Sequence, residues 1–174
     1  MSESVDTHKE SAPETVRVAV LTISDTRTRE TDTGGDTAEQ ILSEAGQEIV
    51  ARQIVRDEIA GIRANLIDLL ANPEVDAVVT TGGTGISGRD TTYEVVDRMI
   101  EKKLDGFGEI FRMLSYEEIG AAAILSRAVA GTVGTKLVAC LPGSRNAVRL
   151  AVEKLLVPEI SHVVFELRKH QEGS

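Results

Sequence analysis

Two carboxylates and one glycine-rich loop are the features of this sequence with the most specific chemistry. The stretch VTTGGTGISGRDTTYEVV, residues 79–96, sets Gly82, Gly83, Gly85 and Gly88 within seven residues, directly after a β-branched apolar run. Glycines there leave backbone N–H groups uncovered by side chains, which suits an anion or the polar edge of a ring. A plain connecting turn is the alternative, although so many glycines make it costly in chain entropy. Gly83-x-Gly85-x-x-Gly88 also spells a dinucleotide-binding fingerprint. That motif needs its last glycines inside the helix start and an acid at a strand end about 20 residues on. Here Gly88 precedes a helix start expected at Thr91, and the later position looks helical. The reading as a phosphate-binding P-loop is weaker still, because no Gly-Lys-Ser/Thr follows the glycines.

Asp90 closes the glycine loop and Asp57 closes the loop before it, so a parallel sheet would carry both to neighbouring strand ends. Either alone reads as a helix cap or first-turn residue. Together, beside a phosphate-type loop, they suit Mg²⁺, which takes one or two carboxylates plus substrate phosphates and water. Ser144, after Pro142 and Gly143, either caps a helix or helps its free N–H groups hold a phosphate. Arg89, Arg127, Lys136 and Arg145 are candidates to neutralise phosphate or are solvated surface. His8, His162 and His170 lack ligand spacing, and Cys140, inside an apolar run, reads as a small core residue.

These residues need elements to position them. VRVAVLTI, residues 16–23, is a buried-strand pattern stopped by Ser24 and Asp25. Gly34 and Gly35 then fall in a polar loop, and from Asp36 the residues Ala38, Ile41, Leu42 and Ala45 recur at helical spacing up to Gly46. EIVARQIV, 48–55, predicts a strand; Ile59, Ile62, Leu66, Leu69 and Leu70 predict a helix ending before Asn72 and Pro73. VDAVVTT, 75–81, is the strand feeding the glycine loop. Thr91 and Glu94 have capping-box spacing for a helix through Met99 and Ile100. Residues 107–129 are helical in composition. KLVACL, 136–141, is a further strand, followed by a helix carrying Val148, Ala151, Val152, Leu155 and Leu156, and by a separate last helix beyond Pro158.

Alternating strands and helices predict an α/β fold with parallel β-α-β units and helices on both faces of one sheet. Ligands in such sheets bind outside the carboxyl ends of the strands. That rule picks four loops: Ser24 with Asp25, Arg56 with Asp57, residues 82–90, and Pro142 through Ser144.

At 174 residues and 41% hydrophobic content the chain suits one domain, placed at 16–170. Residues 1–15 are polar, mixed in charge and broken by Pro13, and are expected to form a disordered tail. A net charge of −9 argues against a nucleic-acid partner, and 3% aromatics without tryptophan offer no stacking platform for single strands. One cysteine excludes an internal disulfide, and no leader or membrane span is visible, so a soluble cytoplasmic protein with no membrane partner is expected.

Taken in order, TISDTRTRETDTGGD, VRDE, VTTGGTGISGRDTTYE, DGFGEIFRMLSYEEIGAAAILSRAVAG and LPGSRNAV resemble the molybdenum cofactor biosynthesis protein B and molybdopterin adenylyltransferase family, over about residues 16–165. The resemblance implies a three-layer α/β/α molybdopterin-binding fold, assembled as a homotrimer or homohexamer, acting in molybdenum or tungsten cofactor synthesis with other cofactor-biosynthesis proteins as possible partners. In active members the terminal phosphate of molybdopterin attacks the α-phosphate of ATP with Mg²⁺, giving adenylylated molybdopterin and pyrophosphate. Carried over by position, Asp57 and Asp90 match the essential carboxylates that handle Mg²⁺ and the reacting phosphates. Ser24, Asp25, Gly82, Gly83, Thr84, Gly85, Pro142, Gly143 and Ser144 match the binding loops, with Ser126 and Arg127 in a weaker matching segment. Gly34 stands where many members carry serine, so no hydroxyl role is assigned there. Asp105 before Gly106, where the adenylyltransferase branch often has proline, places the chain in the B-type branch. Some B-type members lack the paired carboxylates, which makes a non-catalytic molybdopterin-binding or assembly protein the alternative; this chain keeps both.

Overall fold

The computed structural model describes residues 15–169, so the expected tail, apart from Thr15, lies outside the described residues, as do His8 and His170. In chain order the elements are β1 (Arg17–Ile23), α1 (Thr33–Glu44), β2 (Glu48–Val55), α2 (Ile59–Ala71), β3 (Ala77–Thr81), α3 (Thr92–Met99) and β4 (Lys102–Lys103). They continue with α4 (Asp105–Ile119), a 3₁₀ segment (Gly120–Leu125), β5 (Val129–Val133), β6 (Lys136–Leu141), α5 (Arg145–Ala151), a π turn (Val152–Leu156) and α6 (Val157–Arg168). The strands form one six-stranded sheet in the order β2-β1-β3-β6-β5-β4. Strands β2, β1, β3 and β6 are parallel, whereas β5 and β4 run antiparallel at one edge.

Both faces of the central strands are covered, which explains their nearly unbroken apolar runs. Along β1 the side chains alternate: Val18 and Val20 enter one core, with α1, α4, α5 and α6, while Ala19, Leu21 and Ile23 enter the other, with α2 and α3. This is a three-layer α/β/α arrangement with a mostly parallel sheet. Cys140 on β6 is fully buried, and that burial pushes its thiol up to about 12, as expected of a core residue.

Six elements differ from the sequence expectation: α1, α3, β4, β5, α5 and α6. Helix α1 starts at Thr33 instead of Asp36, with Asp32 as N-cap accepting from the Gly35 N–H at 3.0 Å. Its first turn carries Gly34 and Gly35, which bear no apolar marker, and a side chain at Gly34 would come 2.8 Å from the Gly143 carbonyl oxygen. Thr91 caps α3 without a side-chain bond to the helix; its hydroxyl goes to Asp57 at 2.9 Å, and Glu94 pairs with Arg127, so the capping box does not form.

Strands β4 and β5 were hidden because VAGTV is short and glycine-containing and because two lysines make up β4. Lysines on a short edge strand discourage pairing with other chains. Finally, α5 and α6 are one continuous helical path, where two separate helices were expected. Pro158 cannot donate to the carbonyl four residues back and would crowd it, and the wider π turn just before it absorbs that conflict. No described helix is long and apolar enough to cross a membrane.

Candidate functional site

The four loops chosen by the strand-end rule follow β1, β2, β3 and β6, all parallel, and so share one edge of the sheet. Between them lies a cavity of about 400 Å³ lined by Ser24, the glycine loop from Gly82 to Gly85, Asp90, Pro142 and Gly143. Ser126 and Ser144 line a neighbouring recess of about 170 Å³ that shares Leu125 and Pro142 with it. Ser144 also caps α5, its hydroxyl accepting from the Ala147 N–H at 3.3 Å. Lys136 is a correction: it opens β6 at the opposite end of the sheet and its ammonium donates to the Asn72 carbonyl, so it is no phosphate neutraliser here.

The glycine loop is shaped by backbone necessity at Gly82. Its φ is +94°, and a Cβ there would collide with the Ile23 carbonyl oxygen at the end of β1. Gly82→Ala therefore combines a strained φ with a backbone clash, and an expected loss of about 2–3 kcal/mol should appear in urea unfolding. A loss below about 0.5 kcal/mol would mean that the loop is not held in this conformation.

Strand β1 lies between β2 and β3, so Asp57 and Asp90 are not on neighbouring strand ends as expected. Bonds between loops close the gap. Asp57 Oδ1 accepts from the Thr91 N–H at 3.3 Å and the Thr91 hydroxyl at 2.9 Å, and a Cβ on Gly83 would lie 2.7 Å from Asp57 Oδ2. Asp90 Oδ2 accepts from the Ser87 N–H at 3.0 Å and the Ser87 hydroxyl at 2.5 Å, and packs against Gly85. Each carboxylate thus keeps one oxygen, Oδ2 of Asp57 and Oδ1 of Asp90, without a hydrogen bond among the described residues. Asp25 ties these loops: it pairs with Arg89 at 2.5 Å and accepts from the Asp57 N–H at 3.3 Å. The Arg89 guanidinium beside it holds the Asp25 carboxyl below its usual range.

Arg127 acts on the loop from outside the cavity lining. Its Nε donates to the Thr84 carbonyl at 2.8 Å and its Nη2 to the Gly85 carbonyl at 2.9 Å, while the guanidinium pairs with Glu94 and lies 4.6 Å from the Tyr93 ring centre. It therefore occupies two carbonyl oxygens that would otherwise repel an anion approaching the loop. Its donors are spent on protein, which makes it a support of the loop.

Several lining residues were missed by sequence reasoning: Thr22, Arg27, Asp32, Thr81 and Leu125. Thr22 and Thr81 face each other in register at the ends of β1 and β3, with hydroxyls 3.2 Å apart. A hydroxyl at the end of each apolar run was the available signal. Asp32 was obscured by the misplaced helix start, and Leu125 by the expectation of continuous helix.

Known proteins share this fold. A family model described as "Probable molybdopterin binding domain" matches residues 19–162. The chain is 50% identical over 167 residues to molybdenum cofactor biosynthesis protein B of Bacillus subtilis, covering 95% of this chain and 98% of that protein. A crystal structure of a molybdenum cofactor biosynthesis protein B matches with a TM-score of 0.89 and 47% identity over 92% of this chain and 100% of the other. The tungsten cofactor synthesizing protein MoaB from Pyrococcus furiosus matches with a TM-score of 0.78 and 38% identity, over 90% of this chain and 99% of that one. With the family match spanning nearly the whole sheet and the loops assembled in the order that the motifs require, the chain belongs to the family of molybdenum cofactor biosynthesis protein B and its molybdopterin-binding relatives.

Proposed function

We propose that this protein is a cytoplasmic molybdopterin adenylyltransferase, binding molybdopterin and ATP at the strand-end cavity. An oxygen of the terminal molybdopterin phosphate attacks the α-phosphorus of ATP. The bond from that phosphorus to the bridging oxygen of the β-phosphate breaks, and pyrophosphate leaves. The single observation that carries the reading is the placement of Asp57 and Asp90 against one glycine loop, each with one oxygen fixed by the protein and one open.

That donor set fits Mg²⁺. No group of three or more ligating side chains occurs among the described residues, and Mg²⁺ prefers few carboxylates plus substrate oxygens and water. The open oxygens of Asp57 and Asp90 would hold it, and its charge would offset the repulsion between the two phosphates. At about 4 Å and an effective dielectric of 20 that repulsion is about 4 kcal/mol per charge pair. The chain's own groups do the rest. The Gly82 N–H is taken by the Leu141 carbonyl at 3.0 Å, so Gly83, Thr84 and Gly85 offer their N–H groups to phosphate oxygens, Arg127 keeps the Thr84 and Gly85 carbonyls engaged, and the bonds to Thr91 and Ser87 hold both carboxylates before substrate arrives. The nicotinamide alternative finds no support, since α3 begins after Gly88 and the position about 20 residues on falls in α4.

The test is pyrophosphate release by purified protein. Release that requires both molybdopterin and Mg²⁺ is expected. Release that does not depend on molybdopterin would reject adenylyl transfer in favour of simple hydrolysis, and no release with molybdopterin bound would favour the non-catalytic binding or assembly role.

A homotrimer or homohexamer belongs to the same proposal. Helix α4 buries Phe111 yet exposes Ile110, Met113, Tyr116 and Ile119, and an apolar groove of about 550 Å³ runs between it and α6. A helix apolar on most of its faces is ordinarily covered. Light scattering at micromolar concentration should give three or six times 18.7 kDa. An 18.7 kDa particle would reject the assembly.

A further inference from the structure

At the wall of the cavity lies a buried ion pair to which the proposed chemistry gives no part. Asp32 lines the cavity, yet its side chain is only 3% exposed; Oδ1 accepts from the Gly35 N–H and Oδ2 from the Thr22 hydroxyl at 2.6 Å. Arg52, on β2, reaches beneath β1 with its side chain 8% exposed. Its guanidinium pairs with Asp32, donates to the Thr22 hydroxyl at 2.9 Å, and lies 3.6 Å from Asp36 and 3.5 Å from Glu39, two exposed or half-exposed carboxylates that Arg29 also pairs with. Thr22 in turn meets Thr81, at the foot of the glycine loop.

Stability alone gives little reason for such a pair. A buried ion pair is often no better than well-packed apolar residues of the same volume, because desolvation offsets the attraction. Its position suggests what else it does. The charged groups lining the cavity are Asp32, Asp90 and Arg27, an excess of acid in a pocket read above as a phosphate site. Arg27 is itself engaged with the Thr31 carbonyl at 2.7 Å. Asp32 is held ionised: burial pushes its carboxyl up, but the bonds from Thr22, Arg52 and the Gly35 N–H outweigh this and leave it below the usual range. Without a counter-charge that carboxylate would repel any phosphate entering the cavity.

We infer that Arg52 is a charge-setting and positioning residue for the cavity: it cancels Asp32 from behind, so that the wall which caps α1 accepts an anionic ligand. The inference rests on the reading of this cavity as a phosphate-binding site but not on transfer taking place in it. Asp32 is present because α1 needs a cap where Gly34 presses against Gly143, and Arg52 makes that cap compatible with phosphate.

The experiment is equilibrium binding of ATP by calorimetry, alongside urea unfolding, for wild type and four variants. Arg52→Gln keeps donors for Asp32 and Thr22 but removes the charge, and should weaken ATP binding at least tenfold. Arg52→Lys should restore it to within about threefold of wild type. Asp32→Asn keeps the helix cap and should bind ATP as well as wild type or more tightly, although it is less stable. The double variant Arg52→Gln with Asp32→Asn should recover the affinity lost by Arg52→Gln alone.

Opposite effects on affinity from two variants that both lower stability are the mark of charge setting, because a purely structural role moves both downward together. If both single variants weaken binding in step with lost stability, or neither changes it, the inference is overturned while adenylyl transfer stands. If wild type binds ATP but transfers no AMP, the transfer reading fails and the inference stands. Wild type that binds no ATP overturns both.

Discussion

Asp57→Asn and Asp90→Asn should each lower kcat/KM for AMP transfer by about two to three orders of magnitude, the usual cost of removing one preorganised electrostatic group from a transfer site. The substitution is selective because of how each carboxylate is held. An asparagine at 57 can still accept from the Thr91 N–H and hydroxyl, and one at 90 can still accept from Ser87. The amide nitrogen then falls where the open carboxylate oxygen was, replacing a negative acceptor with a neutral donor. Loop geometry and unfolding free energy should therefore change little while transfer collapses. Asp57→Ala, by contrast, would also release Thr91 at the start of α3 and mix a structural effect with the chemical one. Transfer within threefold of wild type in both asparagine variants would remove these residues from the reaction.

The largest stability effect is expected far from the cavity, at the opposite end of the sheet. Asp76, with its side chain 3% exposed, accepts from the Arg17 N–H at 3.0 Å, Nε at 3.1 Å and Nη2 at 2.9 Å, and pairs with Arg168 at the end of α6. One carboxylate thus joins the start of β1, the approach to β3 and the last helix. Asp76→Ala removes the acceptor of the Arg17 N–H and Nε, leaves that guanidinium only Glu74 and the Pro73 carbonyl, frees Arg168, and should cost about 3 kcal/mol in urea unfolding. Burial pushes the Asp76 carboxyl up, but the bonds from Arg17 and the charges of Arg17 and Arg168 outweigh it, leaving the folded value below the ordinary one.

With the folded value depressed, the unfolded chain binds more protons in acid, and stability rises with pH through that window. The Asp76 contribution is fully present above about pH 4, the unfolded value for an aspartate, and is lost as pH falls through the lower folded value. The gap between wild type and Asp76→Ala should be constant from neutral pH down to about 5 and shrink below about pH 4. A gap that widens in acid would contradict this account of the ion pair.

Much of the sheet was legible because strands buried on both faces are built almost wholly of apolar and β-branched residues, as in AVVTT and KLVACL. Periodicity found α2 for the same reason: Ile62, Leu66 and Leu69 are its buried face. What stayed hidden depends on contacts distant in sequence. Gly34 and Gly35 look like a loop unless Gly143 is known to press on the helix start. Gly131 reads as an interruption until Ile100 and Lys102 are seen to leave no space for a side chain.

The site followed the same division. Local glycine and aspartate motifs identified the loops, and the strand-end rule placed them on one edge. The sequence pattern did not reveal that Arg127, more than 40 residues on, holds the glycine loop, or that Arg52 lies behind Asp32. Both contacts exist only once the sheet order brings those strands together.

The central claim is that the open carboxylate oxygens beside the glycine loop serve adenylyl transfer to molybdopterin. Its most direct test is incubation of the purified protein with molybdopterin, Mg²⁺ and ATP labelled at the α-phosphate, followed by isolation of the pterin product. The expected result is label on molybdopterin in one-to-one ratio with released pyrophosphate. Molybdopterin that binds to the protein yet remains unlabelled at complete saturation would contradict it.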